Sequence, residues 1–181
     1  DRKKMNTVLV GLSIGIRANT KFLDGTGIDL MPNGTVKVNE YLETNIPDIY
    51  AVGDCATVSN RITKKPAWSP MGSTANISGR IAAMNINGKE KKYSGALGTA
   101  VAQLPGLNIG RTGLTEDEAK SMGYDAISVV TVVDDKAHYF PGSSAFIIKM
   151  TADKNTKKLL GLQAWGLDRS AVDKLVDIAV T

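Results

Sequence analysis

The sequence predicts two joined pieces: an α/β segment over the first half and an α+β domain with an antiparallel sheet over the second. Three observations carry this expectation. Short apolar, β-branched runs at 7–16 and 49–52 read as buried strands and precede a long helical pattern at 72–88. A polar stretch, "GKEKKYSG" at 88–95, interrupts the pattern and marks a boundary. Beyond it, three strand-like runs joined by short turn sequences read as an antiparallel meander.

The elements follow in order. "TVLVGLSIGI" (7–16) is expected to be a buried strand, and "RANT" turns out of it. "IDLMPNGTVKVN" (28–39) has the form of a hairpin: Pro32-Asn33-Gly34 supplies the turn, and Val36 and Val38 alternate with polar residues. "IYAV" (49–52) is a second apolar strand, ending on Gly53-Asp54. In the helix at 72–88, Ile77, Ile81 and Met84 repeat at helical spacing and Gly88 is a suitable stop. Gly79 inside it costs roughly 1 kcal/mol relative to alanine, which points to a close neighbour there.

After the boundary, Thr115 to Glu118 is a capping box and Gly123 closes a short helix. The meander comprises 126–133, 144–151 and 158–166, joined by "FPGS" and "DKNT". The last segment begins at "DRS" and carries Val172, Leu175, Val176, Ala179 and Val180, the stripe of an amphipathic helix with no stop signal at its end.

Bulk properties exclude several functions. A chain of 181 residues can bury a real core. Its net charge of +4 is scattered over short loop clusters such as Lys64-Lys65 and Lys157-Lys158, not gathered on one face, so nucleic acid is not an expected partner. No apolar stretch has the length of a membrane span, and the basic start before the run at 7–16 lacks the cleavage site of a signal peptide. The single cysteine, Cys55, excludes an intrachain disulfide and fits a reducing cytoplasm.

The stretch that raises a chemical question is "TNIPDIYAVGDCA" (44–56). A carboxylate placed just after a buried parallel strand faces the crevice where α/β sheets bind ligands. Gly53 lets the backbone turn without a side chain in the way, and Asp54 becomes an acceptor for ligand hydroxyls. The competing reading is a turn aspartate that only caps its own loop. The helix that follows should aim its first turn, around Gly72, Ser73 and Thr74, at the same place, where free N–H groups favour negative charge. A polyol and a ring that becomes anionic would suit that pair of features.

"TNIPDIYAVGDCA" resembles the second flavin-binding motif of the FAD-dependent pyridine nucleotide-disulfide oxidoreductases. "GTAVAQLPGLNIGRTGLTEDEAKSMGYD" and "HYFPGSSAFIIKM" resemble that family's dimerisation domain, most closely in the branch of NADH oxidases, NADH peroxidases and coenzyme A-disulfide reductases. The resemblance implies three divisions: residues 1–25 as the end of an NAD-binding region with its crossover strand, 26–90 as the C-terminal part of an FAD-binding domain, and 93–181 as a C-terminally incomplete dimerisation domain. It implies that Gly53 and Asp54 hold the ribityl chain of FAD, that backbone at Ser73 and Thr74 lies at the flavin, and that the chain forms a homodimer through 93–181. It further implies that Tyr139 of "HYFPG" approaches the redox centre of a partner subunit.

The parent activity so implied is electron transfer from NAD(P)H through FAD to a disulfide or small-molecule acceptor. Two things the family needs have no counterpart here. No Gly-rich dinucleotide turn is found, since "GLSIG" and "LPGLNIGRTG" have the wrong spacing, and no redox cysteine is found, since Cys55 reads as a core thiol. The chain is therefore expected to be a C-terminal fragment that is inactive alone and colourless when purified. A non-enzymatic dimerisation module is the alternative, and a thiol enzyme pairing Cys55 with His138 a third reading. His138 otherwise reads as a half-exposed residue at a strand end. Trp68 is placed over the site, Trp165 in the core, and Arg80 in an ion pair on the helix surface.

Overall fold

A computed structural model describes residues 6–167 and 169–180. The basic cluster at Arg2 to Lys4 and Asp168 of the expected last-helix start lie outside them. Two short strands, β1 (Val58–Ser59) and β2 (Pro66–Ala67), form an antiparallel ribbon. Helix α1 (Gly72–Ile86) follows. The second half holds β3 (Ala100–Leu104), β4 (Leu107–Gly113), α2 (Glu116–Ser121), β5 (Ala126–Asp134), β6 (Ala145–Asp153), β7 (Leu159–Gly166) and α3 (Arg169–Val180). These five strands make one antiparallel sheet in the order β3-β4-β7-β6-β5.

The meander, the capping box and the last helix are as expected. Thr115 Oγ1 accepts from the Glu118 N–H at 3.2 Å, and Glu118 Oε2 accepts from the Thr115 N–H at 2.7 Å. Gly123 closes the helix at φ +91°. Sequence reading missed the hairpin β3–β4. Its signal is Pro105-Gly106, with Gly106 at φ +72°, the arrangement that suits proline and glycine in the two central positions of a tight turn.

The main core lies between α3 and one face of the sheet. Val172 and Val176 pack on Phe146, Ile148, Leu162 and Ala164. The opposite face is met at one end by α2, whose Glu118 and Glu116 pair with Arg111 and Lys149, and among the described residues is open beyond it. There the strand register lines up Ala102, Ile109, Trp165, Ile147 and Val132 across all five strands. Trp165 is thus not a core residue: it is 37% exposed, because alternation along β7 gives Leu162 and Ala164 to α3 and sends Trp165 to the other side.

Three expectations for the first half fail. Residues 7–16 form no strand and lie open, with Val8, Leu12 and Ile14 all more than four-fifths exposed. A β-branched run gains from extended structure when a neighbour supplies ladder partners, and no described segment runs beside it. Residues 49–52 form only a single antiparallel bridge, Tyr50 with Glu43, in place of a buried strand, for the same reason. The hairpin at 28–39 does form its turn, with the Gly34 N–H donating to the Met31 carbonyl, but keeps one rung, Leu30 with Val36.

Helix α1 also buries an unexpected stripe. Thr74, Ser78, Ala82 and Asn85 face inward, while Ile77 and Met84 are 49% and 42% exposed. Only Ile81 of the expected apolar row packs on the small cluster of Leu42, Val58, Ala82 and Tyr93. A Cβ on Gly79 would meet nothing within 4 Å, so no close neighbour among the described residues accounts for that glycine. Arg80 has no ion pair among the described residues.

The polar stretch at 88–95 is not a free linker. Its Tyr93 is buried in the first-half cluster, its backbone N–H donates to the Glu40 carbonyl, and Lys92 pairs with Glu40 at 2.5 Å. Asn85 clamps the same segment by donating to the carbonyls of Tyr41 and Lys91. Ala96 then exchanges backbone hydrogen bonds with Ser59 and Arg61, which joins the two halves of the chain.

Candidate functional site

The site is built on a reversal of the backbone. Val52 is extended, Gly53 adopts φ +78°, and Gly53–Cys55 form one turn of 3-10 helix. Only glycine takes that φ without strain, so the turn requires Gly53. Asp54 therefore sits on a tight turn, not at the end of a strand. The turn is held from below by the 28–39 hairpin: the Val36 N–H donates to the Cys55 carbonyl at 2.8 Å, and the Thr57 N–H donates to the Val36 carbonyl at 2.9 Å.

Asp54 is exposed, and its carboxylate has no hydrogen bond or ion pair among the described residues. The alternative of a turn aspartate capping its own loop is thus not what the geometry shows. Cys55 is half-buried, with Sγ 3.5 Å from the Val52 carbonyl, and so is neither a fully buried core thiol nor paired with His138. His138 is exposed in the β5–β6 loop, edge-on to the Tyr139 ring at 5.8 Å, and not at a strand end.

Helix α1 starts against this turn. A Cβ on Gly53 would lie 3.9 Å from the Ala75 methyl in the first turn of α1. Met71 precedes the helix in extended conformation, with no side chain capping it and no acidic residue in the first turn. The N–H groups of Gly72, Ser73 and Thr74 have no acceptor among the described residues. Ser73 is exposed, whereas Thr74 is buried with Oγ1 2.9 Å from Ser69 Oγ.

The structure therefore brings Gly53, Asp54, Ser73 and Thr74 to one place. It leaves Tyr139 elsewhere, 75% exposed in the β5–β6 loop and touching His138 and Phe140. A residue whose contact was not legible is Trp68. Its indole N–H donates to the Asp54 carbonyl at 2.8 Å, fourteen residues back, and nothing in the local sequence marks that bond.

Residues 1–77 match the model for pyridine nucleotide-disulphide oxidoreductases, and residues 102–180 match the model for the dimerisation domain of the same proteins. The chain belongs to the pyridine nucleotide-disulphide oxidoreductase family. Within it, the chain is 37% identical over 160 residues to an NAD(P)H sulfur oxidoreductase (CoA-dependent) of Pyrococcus furiosus, covering 88% of this chain and 36% of that one. It is 34% identical over 164 residues to an NADH oxidase of Streptococcus pyogenes, covering 90% and 36%. The reduced CoADR-RHD of Bacillus anthracis superposes with a TM-score of 0.87 at 34% identity, over 93% of this chain and 30% of that one. The chain thus spans about a third of the length of the family members it matches. The α/β segment followed by a dimerisation domain with an antiparallel sheet is the fold that family implies.

The residues present fit FAD, the cofactor of the family. A carboxylate without a partner offers an acceptor to hydroxyls, and the uncapped first turn of α1 offers donors to an anionic edge. Among the described residues no cluster of histidine, cysteine and acidic side chains could hold a metal, and no helix is long and apolar enough to cross a membrane.

Proposed function

We propose that this chain supplies part of an FAD site and the homodimer interface of an NAD(P)H-dependent flavoprotein oxidoreductase. The observation that carries this reading is the unpaired Asp54 carboxylate on the Gly53 turn, packed against the uncapped start of α1. When bound, FAD would accept electrons from a nicotinamide cofactor and pass them to a disulfide or small-molecule acceptor. Asp54 would hold ribityl hydroxyls as a fixed acceptor. Backbone N–H groups at Ser73 and Thr74 would face the edge of the flavin ring where negative charge gathers, at no reorganisation cost.

The flavin share of the work falls to residues 26–90 and the dimer to 93–181. A second copy of the chain is the partner proposed for the open part of that sheet face, where Ile109, Trp165 and Val132 are 38%, 37% and 62% exposed. A large aromatic flanked by aliphatic side chains is the composition of an interface centre. Tyr139 is proposed to act across that interface, its hydroxyl donating to an anionic group of the partner's redox centre. A reducing cytoplasm is the proposed setting, in keeping with one unpaired cysteine.

The test combines an absorbance scan and light scattering of the purified chain with a titration of added FAD. A colourless dimer that binds FAD weakly, and more weakly after Asp54→Asn, is expected. FAD binding that ignores Asp54→Asn, or no binding at all, would overturn the reading.

A further inference from the structure

We infer that Trp68 is a positioning residue for the flavin site, holding the Asp54 turn against α1 through its indole N–H. The inference rests on the proposed FAD reading and deepens it by adding a residue outside the sequence motif.

The geometry runs through one short segment. Ribbon β1–β2 lays Pro66–Ala67 beside Val58–Ser59, so the next residue, Trp68, comes back to the turn at 53–55. There its Nε1 donates to the Asp54 carbonyl at 2.8 Å. Its neighbour Ser69 is buried and shares a hydrogen bond with Thr74 in the first turn of α1, and the Ser69 carbonyl accepts from the Met71 N–H at 2.8 Å. Trp68 and Ser69 thus join the two halves of the site: one side chain grips the peptide that carries the carboxylate, the other grips the helix start.

The hydrogen bond has a specific effect. The Asp54 side chain itself has no partner among the described residues, so its direction depends on the peptides around it. Within the turn, the Ala56 N–H donates to the Gly53 carbonyl at 3.1 Å, and that bond leaves the Asp54 carbonyl free for an outside donor. Trp68 supplies that donor. One neutral hydrogen bond is enough to bias a turn between orientations without deciding whether the domain folds.

The experiment uses the whole chain and nitrogen-15 NMR. Two tryptophans give two indole N–H signals, and Trp165→Phe assigns them. The Trp68 indole is expected to exchange with solvent many times more slowly than a free indole. Trp68→Phe keeps an aromatic ring and removes the donor. It is expected to speed amide exchange at Asp54 to Ala56, to leave the melting temperature within a degree or two, and to weaken FAD binding about three- to tenfold. A Trp68 indole that exchanges as fast as a free indole, or unchanged FAD affinity in Trp68→Phe beside a clear loss in Asp54→Asn, overturns the role of Trp68 and spares the FAD reading. FAD binding that is absent, or indifferent to Asp54→Asn, overturns both.

Discussion

Gly110 and Val176 meet with no space for a side chain between them: a Cβ on Gly110 would lie 2.8 Å from Val176 Cγ2 and 3.0 Å from Val172 Cγ1. The glycine lets α3 settle onto the middle of the sheet, where Val172 and Val176 are almost fully buried. Gly110→Ala must push the helix outward or distort β4. Overpacking of this kind costs about 1–3 kcal/mol. Thermal melts should show the loss in Gly110→Ala; a melting temperature equal to wild type would mean that α3 does not seat as described.

The capping box of α2 gives a second check. Thr115→Ala removes the acceptor for the Glu118 N–H and should cost about 1 kcal/mol in urea unfolding, while Thr115→Ser should retain most of it. Equal losses in the two variants would assign the effect to the threonine methyl and not to the cap.

The acid limb of the stability curve should carry a mark of Glu116. Hydrogen bonds from Lys120, then Lys149 and Ser128, lower its carboxyl pKa to about 2. An unfolded glutamate titrates at about 4.3. The folded value is the lower one, so the contribution is complete above about pH 4.3 and is lost as pH falls toward 2. Glu116→Gln should therefore lower the melting temperature at neutral pH and flatten its fall across that window, the two curves converging toward pH 2. Because the group lies at the surface, added salt should shrink the difference. An acid limb identical to wild type at low salt would contradict the pairing with Lys120 and Lys149.

The proposed second copy on the sheet face can be tested by charge. Trp165→Asp places a carboxylate in the middle of the row from Ala102 to Val132. Light scattering should fall from the mass of two chains to that of one, with unchanged far-ultraviolet circular dichroism. A dimer that survives Trp165→Asp would place the interface on another face.

Legibility of the sequence divided along one physical line. Elements whose partners are close in the chain could be read: the Thr115–Glu118 cap, the β5-β6-β7 meander and the stripe of α3 all pair with near neighbours or a single surface. The Gly53-Asp54 stretch stood out as a candidate site through its resemblance to a flavin-binding motif, since glycine and aspartate after an apolar run fit an ordinary turn as well. Elements that need a distant partner were misread. The run at 7–16 carries strand propensity but no described neighbour, and Trp165 has a core side chain but faces outward because β7 alternates. On α1 the expected apolar row, Ile77 and Met84, is exposed, because the cluster under the helix accepts Thr74, Ser78 and Asn85, with Asn85 satisfied by carbonyls of Tyr41 and Lys91. The Trp68–Asp54 bond spans fourteen residues and leaves no local trace.

The bare run at 7–16 has a practical consequence for handling the chain. Six large aliphatic residues lie exposed there with no charge among them before Arg17. Such a segment is a template for pairing with its like in another molecule, and the same features are read by chaperones. Its colloidal behaviour should therefore be set by ten residues and not by the well-packed sheet: turbidity should climb with concentration well below the melting temperature, and one lysine in place of Leu12 should delay it.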